Sequence, residues 1–329
     1  MKRFLIFRTD RIGDFIASKI IFESIKSNDN RNIIDVVCSK YNENYLKHYK
    51  YLNKLIILNR KSIKNYIFSI LKLRYIEYDY LIILDGKRRS FIFSLFIKSV
   101  HKFIIVKNKK LNFFTKIFSY KDFLNSEKNS QFKNFVKFLN IIQIKPIIKF
   151  DYYKDYIIKS NNFLKDKNYL HLHLDEKWFE GYYYEDYDYM NLNSYNLNLF
   201  LSFLKKKFNK KIIITSGFKK INILEFFIKK NFFKYKNNYI HKTLKSRIIF
   251  IKNLDFRDLE IVVKNSNMLI TCEGAVSHVS NSFNTPTLCL IQRNRKQTAT
   301  FWTSHMKKIK YLYRSDIKKV ISQINKIKF

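Results

Sequence analysis

Along the chain, short runs of Ile, Leu, Val and Phe alternate with segments whose apolar positions recur at helical spacing. The runs fit strands buried on both faces and the spaced segments fit helices laid against them, so the alternation predicts parallel sheets covered by helices. In the first half the runs place strands at Phe4–Arg8, Ile33–Cys38, Lys54–Leu58, Tyr80–Leu84 and Lys102–Val106, with helices such as Phe15–Ser27 and Ile63–Leu73 between them. The pattern then starts again, with strands at Tyr169–His173, Lys211–Thr215, Ile248–Ile251, Met268–Thr271 and Thr287–Leu290. Pro146 lies between the halves, where a fixed φ and a missing N–H suit a linker or a strand edge. The expected fold class is therefore α/β, with two sequential α/β units over residues 1–148 and 149–329. No short-period repeat or low-complexity tail interrupts this plan.

Glycine changes the picture most. The chain has 5, where average usage would give roughly 23. Gly13, Gly86, Gly217 and Gly274 each follow the carboxyl end of an expected strand, and Gly181 sits in the loop after Tyr169–His173. Ligands of open α/β sheets bind along that rim, where a missing Cβ allows a close approach of backbone to phosphate. Read singly, each glycine is equally an ordinary turn residue.

The formal net charge of +38 suits an anionic partner such as a phosphorylated sugar, a phospholipid surface or nucleic acid. Part of that excess follows from a bias that inflates Lys, Asn, Ile, Phe and Tyr together. Cys38, Cys272 and Cys289 are far apart and form no Cys-x-x-Cys, so neither a disulfide framework nor a zinc site is expected. Met1-Lys2-Arg3 before Phe4–Phe7 resembles the opening of an export signal, but Arg8, Asp10 and Arg11 interrupt the apolar run at once. The expectation is a cytoplasmic protein. Apolar stretches such as Phe91–Ile97 fall well short of the ~20 residues that span a bilayer, so any membrane contact is peripheral.

Three constellations carry candidate chemistry. Arg8-Thr9-Asp10-Arg11-Ile12-Gly13-Asp14 leads from the first strand into a helix without the Gly-x-Gly-x-x-Gly of a dinucleotide site. Asp14 there either caps the helix or takes a proton as a general base. Tyr169–Trp178 runs from a strand into a polar loop; Lys177 suits a phosphate oxygen or plain solvent, while His171 and His173 share a face without a clear third metal ligand. Asp186-Tyr187-Asp188 is a chance match to a metal-binding Asp-x-Asp. Thr271 to Pro286 reads as strand, glycine turn and helix, and a helix amino terminus after Gly274 would aim N–H groups at a diphosphate. An ordinary βαβ turn with His278 packed on its helix reads the same way. His48, His101, His241 and His305 have no evident companions.

These blocks resemble the glycosyltransferases typified by ADP-heptose:lipopolysaccharide heptosyltransferases, glycosyltransferase family 9. The resemblance rests on Asp10 to Asp14, on Asp85-Gly86-Lys87-Arg88-Arg89-Ser90, on Lys177-Trp178 and on the block from Gly274 to Pro286, in order along nearly the whole chain. It implies a GT-B fold, with two Rossmann-like domains whose parallel sheets face a central cleft. The amino-terminal domain would bind the acceptor, the carboxyl-terminal domain the nucleotide sugar, and the last helix would reach back to the first domain. The implied reaction is a single inverting displacement with no metal or cofactor, the co-substrate being a nucleotide sugar such as ADP-heptose. By the same resemblance Asp14 is the base. Lys177, Ser216, Gly217, Glu273, Gly274, Ala275 and His278 face the donor, and Arg11, Lys87, Arg88 and Arg89 an anionic glycan or glycolipid acceptor of the lipopolysaccharide-core kind. Many members have Asp-Ser-Gly or Asp-Thr-Gly where this chain has Cys272-Glu273-Gly274, so one side-chain hydroxyl contact to the donor is missing. The tyrosine-rich stretch Tyr182–Tyr189 is also longer than the family leads one to expect. Peripheral contact with the inner membrane face follows from family and charge together. Two other readings remain: a GT-B protein that binds a sugar nucleotide without transferring it, and a basic nucleic-acid-binding protein, for which no helix-turn-helix or zinc finger is visible.

Overall fold

The computed structural model describes residues 1–58, 68, 71–105, 115–122, 130–147, 167–179, 190–236 and 238–327. The chain divides into two compact units, Met1–Lys149 and Phe150–Phe329.

The first unit is built on β1 (Arg3–Arg8), whose Phe4, Leu5, Ile6 and Phe7 are wholly buried. Flanking it are β2 (Ile33–Ser39), β3 (Lys54–Leu58), β4 (Tyr78–Ile83), β5 (Ser99–Ile104) and the short β6 (Lys121–Asp122). All pair in parallel in the order β3-β2-β1-β4-β5-β6. The chain thus steps outward from β1, returns, and steps out on the other side, which puts the topological switch between β1 and β4. The helices are α1 (Ile12–Ala17), α2 (Lys19–Asn28), α3 (Lys40–Leu46), α4 (Arg88–Ser94) and α5 (Gln131–Ile141). The single helix expected from Phe15 is two: it starts earlier, at Ile12, and breaks at Ser18, whose hydroxyl donates to the Phe15 carbonyl at 2.8 Å. Gly13 consequently lies inside α1 rather than in a turn. The helix expected over Ile63–Leu73 falls largely outside the described residues, as do Val106, Gly181, Asp186-Tyr187-Asp188 and Tyr182–Tyr189.

The second unit contains β7 (Tyr169–Leu174), α6 (Ser194–Phe208), β8 (Lys211–Ser216), α7 (Asn222–Asn231), β9 (Phe232–Tyr235), β10 (Asn238–His241) and β11 (Lys245–Ile251). After these come α8 (Phe256–Asn265), β12 (Ser266–Cys272), α9 (Ala275–Ser282), β13 (Thr287–Ile291), α10 (Lys296–Thr303), β14 (Ile309–Tyr313) and α11 (Ile317–Asn325). The sheet order is β14-β13-β12-β7-β8-β11-β10-β9. It is parallel from β14 to β11 and ends in an antiparallel hairpin, β9 and β10. Here the switch lies between β7 and β12. The core under α6 and α7 takes Leu170, Leu172, Trp178, Phe200, Ile212 and Ile270. The closing helix α11 buries Ile317, Val320 and Ile324, spaced for one helical face, in the core of the second unit, where it meets α6 and β14.

Candidate functional site

At the switch point of the first sheet, the loops leaving β1 and β4 close on a buried carboxylate. Asp85 accepts from the Thr9 hydroxyl, from Thr9 N at 3.3 Å, from the Ser90 hydroxyl at 2.6 Å and from Lys87 N at 3.1 Å. Lys87 Nζ returns to the Thr9 hydroxyl at 3.3 Å. Beside it the guanidinium of Arg8, 1% exposed, donates to the Leu84 carbonyl at 2.9 Å, to Asp10 at 3.1 Å and to the Asp14 carbonyl. Arg8 therefore fixes the loop that carries Asp14 to the end of β4. Asp14 sits in the first turn of α1, where one carboxylate oxygen accepts the Arg11 N–H at 3.1 Å. The helix cap is real, and it holds the carboxylate in one orientation through that oxygen. Arg11, Arg88 and Arg89 are exposed, the latter two opening α4.

At the switch point of the second sheet, the turn after β7 and the turn after β12 meet through a cation. Asp175 starts a 3₁₀ turn, Glu176–Trp178, by accepting Lys177 N at 3.2 Å. Trp178, fully buried, pins that turn in the core, and Lys177 Nζ donates to the carbonyl of Glu273. A Cβ on Gly274 would lie 2.8 Å from that ammonium, so glycine is what lets Lys177 lie over the turn. From Gly274 the chain enters α9, with the Ser277 hydroxyl donating back to the Gly274 carbonyl at 2.7 Å. The first-turn N–H groups of α9 have no intrahelical partner and point, with the positive end of the helix dipole, out of this turn. A cation beside a helix amino terminus is the arrangement that grips a phosphate. Gly217 belongs to the same rim, since its Cβ would meet Glu176 Oε2 at 3.2 Å and Asp175 Cβ at 3.3 Å. Ser216 ends β8 opposite Leu174.

Two residues that the sequence did not single out complete these clusters. Arg314, 3% exposed just past β14, donates to the Lys177 carbonyl and lies 3.5 Å from Cys272 Sγ. Asp85 is the other. Burial pushes Asp175 above the usual carboxylate range, with Lys177 and Arg314 opposing the shift. Burial also pushes the Cys272 thiol up to about 12, and all three cysteines are free and buried, so none is a nucleophile at neutral pH. His171 and His173 are structural: both rings share the Thr215 hydroxyl, at 2.8 and 2.9 Å, and burial lowers both, His173 to about 4. Among the described residues no group of three or more His, Cys, Asp or Glu is placed to hold a metal. His278 does have a companion. His305, held at about 3 by burial, feels its charge.

No family model and no curated protein matches the chain. Solved structures do. Escherichia coli heptosyltransferase WaaC with ADP-2-deoxy-2-fluoro heptose superposes with a TM-score of 0.71 at 10% identity, over 98% of this chain and 99% of that one. The chain has the GT-B fold. A glycosyl transferase family 9 protein from Veillonella parvula gives 0.69 at 12% identity, covering 99% and 92%. UDP-GlcNAc 2-epimerase from Neisseria meningitidis bound to UDP-GlcNAc gives 0.56 at 12% identity, covering 99% and 90%. At such identities the likeness is one of architecture, and what this GT-B chain does has to be argued from its own side chains.

Proposed function

We propose that the chain is an inverting, metal-independent glycosyltransferase that moves a sugar from a nucleoside diphosphate to an anionic glycan or glycolipid. One observation carries the reading: Lys177 lies over the glycine turn that opens α9, at the switch point of the second sheet. A departing nucleoside diphosphate gains negative charge at its phosphates, and a fixed ammonium beside free helix N–H groups stabilises that charge. On the first rim Asp14, oriented through the Arg11 N–H, takes the proton of the attacking hydroxyl as the glycosidic bond forms and the bond to diphosphate breaks. Lys87, Arg11, Arg88 and Arg89 supply positive charge for an acceptor bearing phosphates or carboxylates.

ADP-heptose is the donor to try first, because WaaC was solved with an ADP-heptose analogue; Cys272-Glu273 in this chain leaves the sugar itself open to a neighbouring member of the class. The reading places the protein in the cytoplasm, at the inner face of the membrane. The experiment is a thermal-shift series with ADP, UDP, GDP and CMP, followed by transfer assays with the sugar conjugate of whichever nucleotide binds. A ligand at about 100 times its Kd adds roughly 2.7 kcal/mol of stability, and Lys177→Met should remove the shift. No shift from any nucleotide would sink the proposal. A shift without transfer would leave a sugar-nucleotide-binding protein.

A further inference from the structure

The phosphate-gripping turn of the second unit is held in a closed circuit of contacts, and one member carries a charge that the proposed reaction has not used. Tyr313 ends β14, and the N–H of the next residue, Arg314, donates to the Ile291 carbonyl at the end of β13 at 3.0 Å. The Arg314 guanidinium donates to the Lys177 carbonyl, and Lys177 Nζ donates to the Glu273 carbonyl. From there the Glu273 N–H returns to the carbonyl of Leu290, the neighbour of Ile291, at 3.1 Å. The circuit joins the carboxyl ends of β14, β13, β12 and β7, which are successive neighbours in the sheet. Two side chains take part in it. One is Lys177, and the other is Arg314.

Charge explains why the second is an arginine. Arg314 is 3% exposed, and a cation so buried needs a counter-charge. Asp175 accepts the Lys177 N–H at 3.2 Å, and its carboxylate feels both Lys177 and Arg314. The Glu273 carboxylate is felt instead by Cys289 and Tyr311, on β13 and β14. One carboxylate shared by two cations leaves one positive charge over. Without Arg314 the Lys177 ammonium would be the partner left to Asp175, and an ammonium drawn to a carboxylate is lost to a phosphate. A neutral donor in place of Arg314 could hold the Lys177 carbonyl but could not share Asp175. We propose that Arg314 is a positioning residue of the donor site: it holds the Lys177 carbonyl and offsets Asp175, so that the Lys177 ammonium stays over the glycine turn for a diphosphate. The inference rests on the sugar-transfer reading only in taking that turn as the phosphate grip.

The test is calorimetric titration of the full chain with ADP, UDP and GDP, continued with whichever binds. Arg314→Met should weaken that nucleotide about ten- to thirty-fold, as loss of one charge close to an anion at a protein surface does. Adding Asp175→Asn to Arg314→Met should bring the affinity back to within about threefold of the unaltered chain, because Asn still accepts the Lys177 N–H and no longer draws the ammonium. A merely structural loss would not be repaired that way. On a Lys177→Met background, Arg314→Met should add no further loss, since it acts through the lysine. Arg314→Lys, which keeps the charge, should stay within about fivefold of the unaltered chain. Lys230→Met, at an exposed cation of α7, should change nothing. Thermal melts check folding, and should Arg314→Met not fold, Arg314→Gln takes its place with the same expected loss. Affinity unchanged in Arg314→Met or Arg314→Gln, a loss that Asp175→Asn does not repair, or a further loss on top of Lys177→Met would each overturn the role of Arg314 and leave nucleotide binding standing. Failure of the unaltered chain to bind any of the three nucleotides would remove the phosphate grip and this role together.

Discussion

The carboxyl rims of the two sheets are built on the same topology with opposite charge at the centre. On the first, the loops of the switch point converge on the Asp85 carboxylate, which absorbs Thr9, Ser90 and the Lys87 N–H as donors. On the second they converge on cations, with Lys177 on the Glu273 carbonyl and Arg314 on the Lys177 carbonyl. A rim whose donors already serve its own carboxylate has few left for a diphosphate at that point. The second rim keeps an ammonium and a helix end. On the function proposed above, this difference fits the donor to the second unit and leaves the first, with Asp14 at its edge, to the group that gives up a proton.

Asp14→Asn is the hardest test of that division. Asn can still accept the Arg11 N–H, so the fold should hold while kcat falls by about 10² to 10⁴, the usual worth of a general base. The nucleotide-induced thermal shift should be unchanged; near-normal turnover would remove Asp14 from the chemistry. Lys177→Met should lower kcat/KM by about 10² to 10³, as loss of one charge-stabilising donor does, and should weaken nucleotide binding in parallel. Lys87→Met, at the switch point of the first rim, should raise the KM for acceptor and spare nucleotide affinity. Equal effects of the two lysine variants on nucleotide binding would erase the contrast between the rims.

A smaller effect separates the two sheets in acid. His171 and His173 lie buried under the second rim, whereas His101, on β5 of the first sheet, is exposed. Burial holds His173 at about 4, below the usual value of 6.5. Between those values the unfolded chain binds more protons than the folded one. Stability from this residue is therefore full above about pH 6.5 and is lost as pH falls towards 4, by up to about 3 kcal/mol. His305 acts in the same direction, and Asp175, shifted upward, against it. Trp178 and Trp302, the chain's 2 tryptophans, both belong to the second unit, so tryptophan fluorescence reports it alone. Urea unfolding followed that way should weaken from pH 7 to 4.5, and His173→Gln should flatten the dependence; an unaltered slope would mean that the buried ring contributes nothing.

The parallel strands were legible because burial on both faces leaves continuous apolar runs such as Phe4–Phe7 and Ile212–Ile214. β14 and the β9–β10 hairpin were not, because they lie at sheet edges, where Lys310, Lys234 and Tyr235 break the runs. Among candidate site residues, Asp14, Lys177 and Gly274 stood out by their position just past a strand. Arg314 could not, since nothing in a chain with 64 Lys and Arg separates one buried guanidinium from its solvated neighbours. Burial is a property of the fold, and so is the electrostatic influence of His278 on His305. Asp85 was read as part of a motif, but its role as the acceptor on which two loops close depends on β1 and β4 being neighbours.

The mildest perturbation addresses the contact between Lys177 and the glycine turn most directly. In Gly274→Ala the new methyl would stand 2.8 Å from Lys177 Nζ. The obstructed atom is the tip of a flexible side chain and moves aside, but Gly274 holds φ +159°, which residues with a Cβ rarely adopt, so the substitution also strains the turn by about 1 to 3 kcal/mol. Nucleotide affinity should then fall about tenfold, less than on removing the charge outright, because an ammonium displaced by an ångström or two still attracts phosphate. Combining Gly274→Ala with Lys177→Met closes a double-mutant cycle. If glycine matters only by making room for Lys177, the double variant binds ADP no worse than Lys177→Met alone. Additive losses would mean that the turn's own backbone touches the phosphate independently of the lysine, and the second rim would then grip its ligand through two separate devices.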